Sequence, residues 1–275
     1  MTVAAEHFRY VQQLVMERSA IVLTEDKSYL VDARLAPIAR AIGVADVNGV
    51  VDHARSRRDP ALEQRIVEAL TTNETSWFRD SRPFNALEHR VLPELIERKR
   101  VSRVLRIWSA ACSTGQELYS LAILLDEKFP RLRTGWQVEL LGTDLNTEMV
   151  RRATEGLYSN LEVNRGMPAN LLVRHFEKEG AHWRAKEHVR DRSRFTKLNL
   201  VGNWPTLPTF DVVLLRNVLI YFDTKVKREV LCRVVKQMAP GGYMLLGTAE
   251  TPNGLCSDLV PVPTDGTVVY HLPVR

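Results

Sequence analysis

The sequence predicts an α/β fold, a doubly wound parallel sheet preceded by a small all-helical domain and carrying a small antiparallel β insertion. Three observations lead there. Apolar residues recur at helical spacing through the first hundred residues. After Arg100, short β-favouring apolar runs alternate with amphipathic stretches, the pattern of a parallel sheet covered by helices on both faces. Ser159 to Leu200 is too long for a simple connection and lacks helical period. With 275 residues, 45% of them hydrophobic, the chain has room for a sizeable core. The expected division is a helical domain over 1–85 and an α/β domain over 86–275, with the insertion at about 160–198.

In the first segment, HFRYVQQLVMERSA and SYLVDARLAPIARAIG read as helices, the second stopped by Gly43, although Pro37 puts its continuity in doubt. Asp59 before Pro60 is an N-cap with proline at the first helical position and opens PALEQRIVEALTT. Pro83, after Ser81, begins RPFNALEHRVLPELIERK. VLRIWSA is the first strand, QELYSLAILLDEKF a helix, QVELLGTD the second strand, and NTEMVRRATEGLY a helix capped by Asn146 or Thr147. HWRAKEHVRDRSRFTKLNL alternates weakly and reads as the β-rich insertion, with a hairpin protruding from the main sheet. FDVVLLRN is a strand, and TKVKREVLCRVVKQMA a helix closed by Pro240 and Gly241. YMLLGTAE and VVYHL are the final strands. They suit an antiparallel, hairpin-like edge, since no covering helix fits after the second.

Composition excludes several classes. The start MTVAAEHFRYVQQL lacks a basic region followed by an unbroken apolar stretch, and no later segment reads as a membrane span. Cys112, Cys232 and Cys256 are scattered without CxxC spacing, which argues against a disulfide framework or a zinc site, and no metal is expected. Both readings point to the cytosol. The net charge is +5, and residues 161–197 hold 9 Lys/Arg against 5 Asp/Glu, nearly the whole excess. A basic patch there would suit an acidic partner, and a solvated surface accounts for it equally.

In an open parallel sheet, ligands bind at the carboxyl ends of the strands, where the first strand-to-helix turn must let backbone approach. Here that turn is SAACSTGQE, in which Ala110, Ala111, Ser113 and Gly115 leave room above the strand. Only one glycine of a GxGxxG pattern is present and no Lys-Ser/Thr pair follows, so a diphosphate ligand is disfavoured. Glu117, just inside the helix, is favoured by the helix dipole and could also bind a cationic ammonium group. Asp144 ends the second strand, where doubly wound domains place an acid on ribose hydroxyls; helix capping competes with that role.

NETSWFR (residues 73–79), SAACSTGQE, LGTDLNTEMVRRATEGLYS, LRNVLIYFD (residues 215–223) and GGYMLLGTAE occur in this order, and together they resemble the chemotaxis receptor methyltransferase family, CheR. The resemblance runs through nearly the whole chain. It departs at Leu118, where the family usually has proline, a change expected to alter the helix start rather than remove a ligand group. The resemblance implies a Rossmann-like methyltransferase sheet that binds S-adenosylmethionine and releases S-adenosylhomocysteine. It implies further that Asn73, Thr75 and Arg79 close over the methionine end, with Glu117 at the amino-acid portion and Asp144 at the ribose. Asn199 and Leu200 would lie near the adenine, Arg216 and Asn217 under the cofactor, and Tyr221 at the transfer centre, with Arg79 and Tyr221 serving the reaction.

Read from the residues alone, Asn73 and Thr75 could cap a helix end, Arg79 could pair with Asp80, and Tyr221 could be a core aromatic. Arg216 at a strand's carboxyl end has no such plain explanation. The reaction implied by the resemblance is esterification of glutamate side chains. A glutamate with a pKa of about 4.3 is ionised at neutral pH and needs no general base. The implied partner is the cytoplasmic methylation helices of membrane chemoreceptors, met by Arg34 and Arg40, with no nucleic acid and no membrane insertion. The loop from Glu179 to His182 looks shorter than in members that grip a receptor's C-terminal pentapeptide, which implies tether-independent action. An RNA or small-molecule methyltransferase on the same fold is one alternative, for which Trp183 among Arg184, Lys186, Arg190 and Arg192 is the nearest approach to a stacking surface. A non-catalytic module that binds cofactor or receptor is the other.

Overall fold

A computed structural model describes residues 3–264 and 266–274; residues 1 and 2, in the expected start of the helical domain, and residues 265 and 275 lie outside it. Four helices come first: α1 (Ala5–Ser19), α2 (Ser28–Ile42), α3 (Val47–Arg57) and α4 (Pro60–Ala69). Gly43 closes α2 at φ 74°, and Asp59 caps α4 by accepting from the N–H groups of Ala61 and Leu62. Pro37 does not break α2, because Leu35, Ile38 and Ala39 around it are held in the bundle core. Helix α3 was not expected from the sequence. Its valines and glycine have weak helix propensity, but Val47, Val50, Val51 and Ala54 are buried and Asp46 accepts from the Gly49 N–H.

The segment 82–98 comprises α5 (Arg82–Ala86), a π turn over Leu87–Val91 and α6 (Leu92–Arg98). Pro93 accounts for the π turn: it cannot donate to the carbonyl four residues back, and the Leu92 N–H reaches the Leu87 carbonyl instead.

The α/β part runs β1 (Val104–Ala110), α7 (Gln116–Lys128), β2 (Gln137–Asp144), α8 (Thr147–Glu155), β3 (Leu157–Ser159), α9 (Asn160–Val163), α10 (Ala169–His175), β4 (Phe176–Glu179) and β5 (His182–Ala185). It continues with α11 (Glu187–Arg190), β6 (Ser193–Lys197), β7 (Phe210–Leu215), α12 (Thr224–Val235), β8 (Met238–Leu246), β9 (Val260–Thr264) and β10 (Thr267–His271). The main sheet has the order β6-β2-β1-β7-β8-β10-β9, parallel from β6 to β8 and antiparallel at β10 and β9. Alternate residues of β1 feed two cores, Leu105 and Ile107 on one face and Trp108 and Ala110 on the other. The chain order reverses between β1 and β7, which puts the ligand crevice at the carboxyl ends of β1, β2 and β7.

Three expectations need correction. The stretch SRFTK, assigned to the insertion at about 160–198, is β6 of the main sheet, parallel to β2; the separate sheet is β3-β5-β4, whose first strand begins at Leu157. Helix α12 ends at Val235, and Pro240 and Gly241 lie within β8 rather than at a helix stop. The edge hairpin is β9 with β10, the first of these unforeseen because it carries Pro261 and Pro263, which an edge strand tolerates. Among the described residues, no helix is long and apolar enough to cross a membrane.

Candidate functional site

Above the carboxyl ends of β1, β2 and β7 lies a cleft of about 900 Å³, its open mouth included. Asn73, Thr75, Arg79, Glu117, Asp144, Asn199, Leu200, Arg216, Asn217 and Tyr221 all line it. The sequence reading missed several of its other contributors: Ser19 at the end of α1 and Ile21 beyond it, Thr71 and Thr72 after α4, Glu74, and Cys112, Leu145 and Val218 from the strand ends. The helical domain thus roofs the cleft. It is tied down there by the Asn199 amide donating to the Arg18 carbonyl (2.7 Å) and the Val22 N–H to the Tyr221 carbonyl (3.1 Å).

The floor is the first strand-to-helix turn. Gly115 takes φ 90°, and a Cβ there would crowd Ala153 and Phe195 at 3.0 and 3.1 Å, so glycine is required on two counts. Ala111 and Ser113 also have positive φ. The turn is pinned by its own N–H groups: Cys112 donates to the Thr143 carbonyl and Ser113 to Asp144 Oδ2 at 2.8 Å. Asp144 Oδ1 accepts from the Asn146 N–H at 2.9 Å. Burial pushes the Asp144 carboxyl up, opposed by these two donors. Asn146, not Asp144, caps α8 by accepting from the N–H groups of Glu148 and Met149, which removes the capping explanation for Asp144. The Cys112 thiol is fully buried and pushed well up by burial and by the charges of Asp144 and Glu117; it is no nucleophile.

One guanidinium organises the far wall. Arg216, whose side chain is 1% exposed, donates to Glu117 Oε2 (2.7 Å), Asp80 Oδ2 (2.8 Å) and the Arg79 carbonyl (3.0 Å). Glu117 Oε1 accepts from Ser109 Oγ at 2.8 Å. The alternative pairing of Arg79 with Asp80 is therefore corrected: Asp80 belongs to Arg216, and Arg79 donates to the Glu74 carbonyl at 2.9 Å. Asn73 and Thr75 cap no helix. They sit on a strap, residues 73–80, fastened by buried Trp77, whose backbone N–H reaches the Arg165 carbonyl and whose indole N–H reaches that of Glu162. Phe78 N–H donates to Ser120 Oγ, and Ser113 Oγ to the Asn73 carbonyl.

Glu250 is the largest omission of the sequence reading. Its carboxylate accepts from the N–H groups of Asn217, Val218, Leu219, Ile220 and Gly247 at 2.7–3.3 Å, which fixes the turn that carries Asn217, at φ 58°, and Tyr221. Leu118 is buried in the first turn of α7, and the helix starts at Gln116. Arg34 is engaged inside the molecule, donating to the carbonyls of Leu70 (3.0 Å) and Thr71 (2.8 Å), whereas Arg40 is exposed.

The fit to a nucleoside bearing an amino acid is direct. Asp144 stands at the end of β2, and the floor is cleared by small residues. On Arg216, Nε is buried without a partner among the described residues, beside the Glu117 carboxylate. The pair offers a cation and an anion to a zwitterion. A doubly wound sheet with this cleft and no phosphate loop fits an S-adenosylmethionine-dependent methyltransferase, and the family comparison makes it one. The family description "CheR methyltransferase, SAM binding domain" matches residues 73–263, and "CheR methyltransferase, all-alpha domain" matches residues 6–71. The chain is 39% identical to chemotaxis protein methyltransferase 1 of Pseudomonas aeruginosa, over 98% of this chain and 99% of that one. It is 38% identical to chemotaxis protein methyltransferase Cher2 of Pseudomonas putida, over 91% and 92%. The chemotaxis protein methyltransferase of Escherichia coli K12 is 32% identical over 89% and 84%. The chain belongs to the CheR methyltransferase family.

Proposed function

We propose that the protein methylates glutamate side chains on the cytoplasmic helices of chemoreceptors, giving glutamate methyl esters and S-adenosylhomocysteine, without gripping a receptor C-terminal peptide. When bound, S-adenosylmethionine supplies an electrophilic methyl group on a sulfonium. The single observation that favours a carboxylate as acceptor is the composition of the cleft: no His or Lys lines it among the described residues, the carboxylates of Asp144, Glu117 and Glu74 are already engaged, and burial keeps the Cys112 thiol protonated. An amine or hydroxyl acceptor would ask for a base, whereas a glutamate arrives ionised.

In this reading Asp144 holds the ribose hydroxyls, while Glu117 and Arg216 meet the ammonium and carboxylate of the methionine end. Asn73, Thr75 and Arg79 close the strap over that end. Asn199 and Leu200 flank the adenine, Asn217 lies beneath, and Tyr221 faces the transfer centre. Arg79 orients the incoming carboxylate at the rim. Positioning, with water displaced by the helical roof, is what the chain contributes to rate. Arg40 remains the candidate receptor contact on α2, since Arg34 is occupied.

The RNA alternative loses support from the insertion's charges. Arg165, Arg174 and Arg184 are ion-paired with Glu74, Glu127 and Glu179. Trp183 donates its indole N–H to Asn160 at 2.8 Å and packs against the core rather than standing free. The β4–β5 connection is the two-residue turn Gly180-Ala181, which fits the tether-independent reading. The protein would act from the cytosolic side. The test is transfer of labelled methyl to receptor cytoplasmic domains, with and without the receptor's C-terminal peptide, scored as base-labile label. Arg79→Ala and Tyr221→Phe are expected to lower turnover. Base-stable label, or unchanged turnover in both variants, overturns the reading.

A further inference from the structure

Away from the cleft, three side chains from three helices converge at the junction between the main sheet and the insertion. Asp126 comes from the C-terminal part of α7, His175 ends α10, and His188 lies in α11. His175 Nδ1 lies 3.0 Å from His188 Nε2, and Asp126 Oδ2 lies 3.9 Å from each of these nitrogens. A point about 2.1 Å from all three atoms falls within that triangle, which matches the bond lengths of zinc to imidazole and carboxylate, ~2.0–2.2 Å.

The surroundings fix the chemistry of the buried ligand. His175 Nε2 is 2.9 Å from Glu127 Oε1, and Glu127 is itself paired with Arg174. An ionised carboxylate only accepts, so Nε2 carries the proton and Nδ1 turns its lone pair toward His188 and Asp126. A histidine whose second nitrogen donates to a carboxylate is the arrangement that orients imidazole ligands in metal sites. Asp126 also accepts from Arg133, at Oδ1 and Oδ2, both 2.7 Å; Oδ2 retains a second lone pair for a further partner. The side chains of His175 and Asp126 are 1% and 9% exposed, and that of His188 is 44% exposed, so one flank of the cluster opens to solvent.

We propose that Asp126, His175 and His188 form a zinc site, completed by water on the open flank, that staples the insertion to α7. Two imidazoles and one carboxylate with an open position are a zinc donor set, one that iron(II) shares. The staple would act on the neighbourhood of the cleft, since α7 carries Glu117 at its other end and the insertion anchors Trp77 of the strap through Arg165. In the absence of an ion the same nitrogens are joined by an ordinary hydrogen bond from His188 to His175, and that is the competing account.

The test uses the full chain without a histidine tag, stripped by chelator and titrated with zinc chloride against a chromogenic zinc chelator, and in parallel with cobalt(II). One equivalent of zinc, a rise in Tm reversed by chelator, and intense visible cobalt bands of a four-coordinate site are expected. His188→Ala, at a half-exposed position, should weaken binding about tenfold or more, while His182→Ala, exposed and outside the cluster, should leave it unchanged. Equal affinity in His188→Ala overturns the proposal. Weak cobalt absorption by the unaltered protein overturns it whatever the variant's folding.

Discussion

Replacing Glu250 by alanine is expected to disable the site without touching any residue that faces substrate or cofactor. Five backbone N–H groups, four of them consecutive from Asn217 to Ile220, converge on its two oxygens. A hydrogen bond to a charged group contributes roughly 1.5–3 kcal/mol to stability. These five share one acceptor, and Ile220 is exposed enough for water to substitute, so their sum is far from additive. A net loss of about 2–4 kcal/mol follows, or a fall in Tm of roughly 5–12 °C for a chain of this size.

The effect on catalysis should be larger than on folding. The freed turn carries Asn217 in the left-handed region and Tyr221, and a displacement of about 1 Å at a reacting centre costs on the order of a hundredfold in rate. Glu250→Gln is a sharper probe. It keeps one acceptor for either Val218 to Ile220 or Asn217 and Gly247, and aims an amide N–H₂ at the other set, so it should behave nearly as badly as alanine. The assay is labelled-methyl turnover beside thermal denaturation. Turnover of Glu250→Ala within twofold of the unaltered protein, with Tm shifted by less than about 2 °C, would refute the positioning argument.

Three further outcomes are expected. Arg216→Met strands the carboxylates of Glu117 and Asp80, and loss of one partner from a buried ion pair should cost about 3–5 kcal/mol, read as a lower denaturant midpoint together with weakened S-adenosylhomocysteine binding in calorimetry. Gly166→Ala forces a Cβ into the Trp77 carbonyl at φ 99°, so the strap should lift and cofactor affinity fall with little change in far-ultraviolet dichroism. Burial opposes ionisation of Glu68, but hydrogen bonds from Lys197, Gln64 and Thr147 outweigh it and hold its carboxyl below the ordinary 4.5. Its stabilising contribution is then present above about pH 4.5 and lost as pH falls through the lower folded-state value, so the Tm gap between the unaltered protein and Glu68→Gln should narrow under acid; a gap independent of pH contradicts this.

What the sequence made legible was local. The strands VLRIWSA and QVELLGTD stand where the apolar runs put them, because a central parallel strand buried on both faces needs little else to declare itself. Asp144 could be found by position, at the end of the second strand. SRFTK could not, since a five-residue polar strand at a parallel edge looks like the insertion it follows. The partners in the site were hidden by distance along the chain: Arg216 meets Glu117 across 99 residues and Asp80 across 136. Asn73, Thr75 and Arg79 lie on a strap with no periodicity. Only family resemblance singled them out, and only the anchoring of Trp77 by residues 162 and 165 explains why an irregular segment can hold them in place.

Glu117 carries two readings that the sequence left level, and its hydrogen bonds bear on them. A carboxylate in a helix's first turn is favoured by the dipole alone, and such a group ordinarily turns back to accept from its own helix's free N–H donors. Here both oxygens turn elsewhere, one to Ser109 on β1 and one to Arg216 beyond β7. Arg216 in turn holds Asp80 on the strap. Two carboxylates around one guanidinium leave a net negative charge at the cleft wall, with one guanidinium nitrogen unused. A dipole-stabilised surface acid needs none of this, and burying the arrangement is costly unless an opposite charge arrives. Under the proposed assignment the zwitterionic end of an amino acid supplies both signs at once, to the same residues that hold the strap.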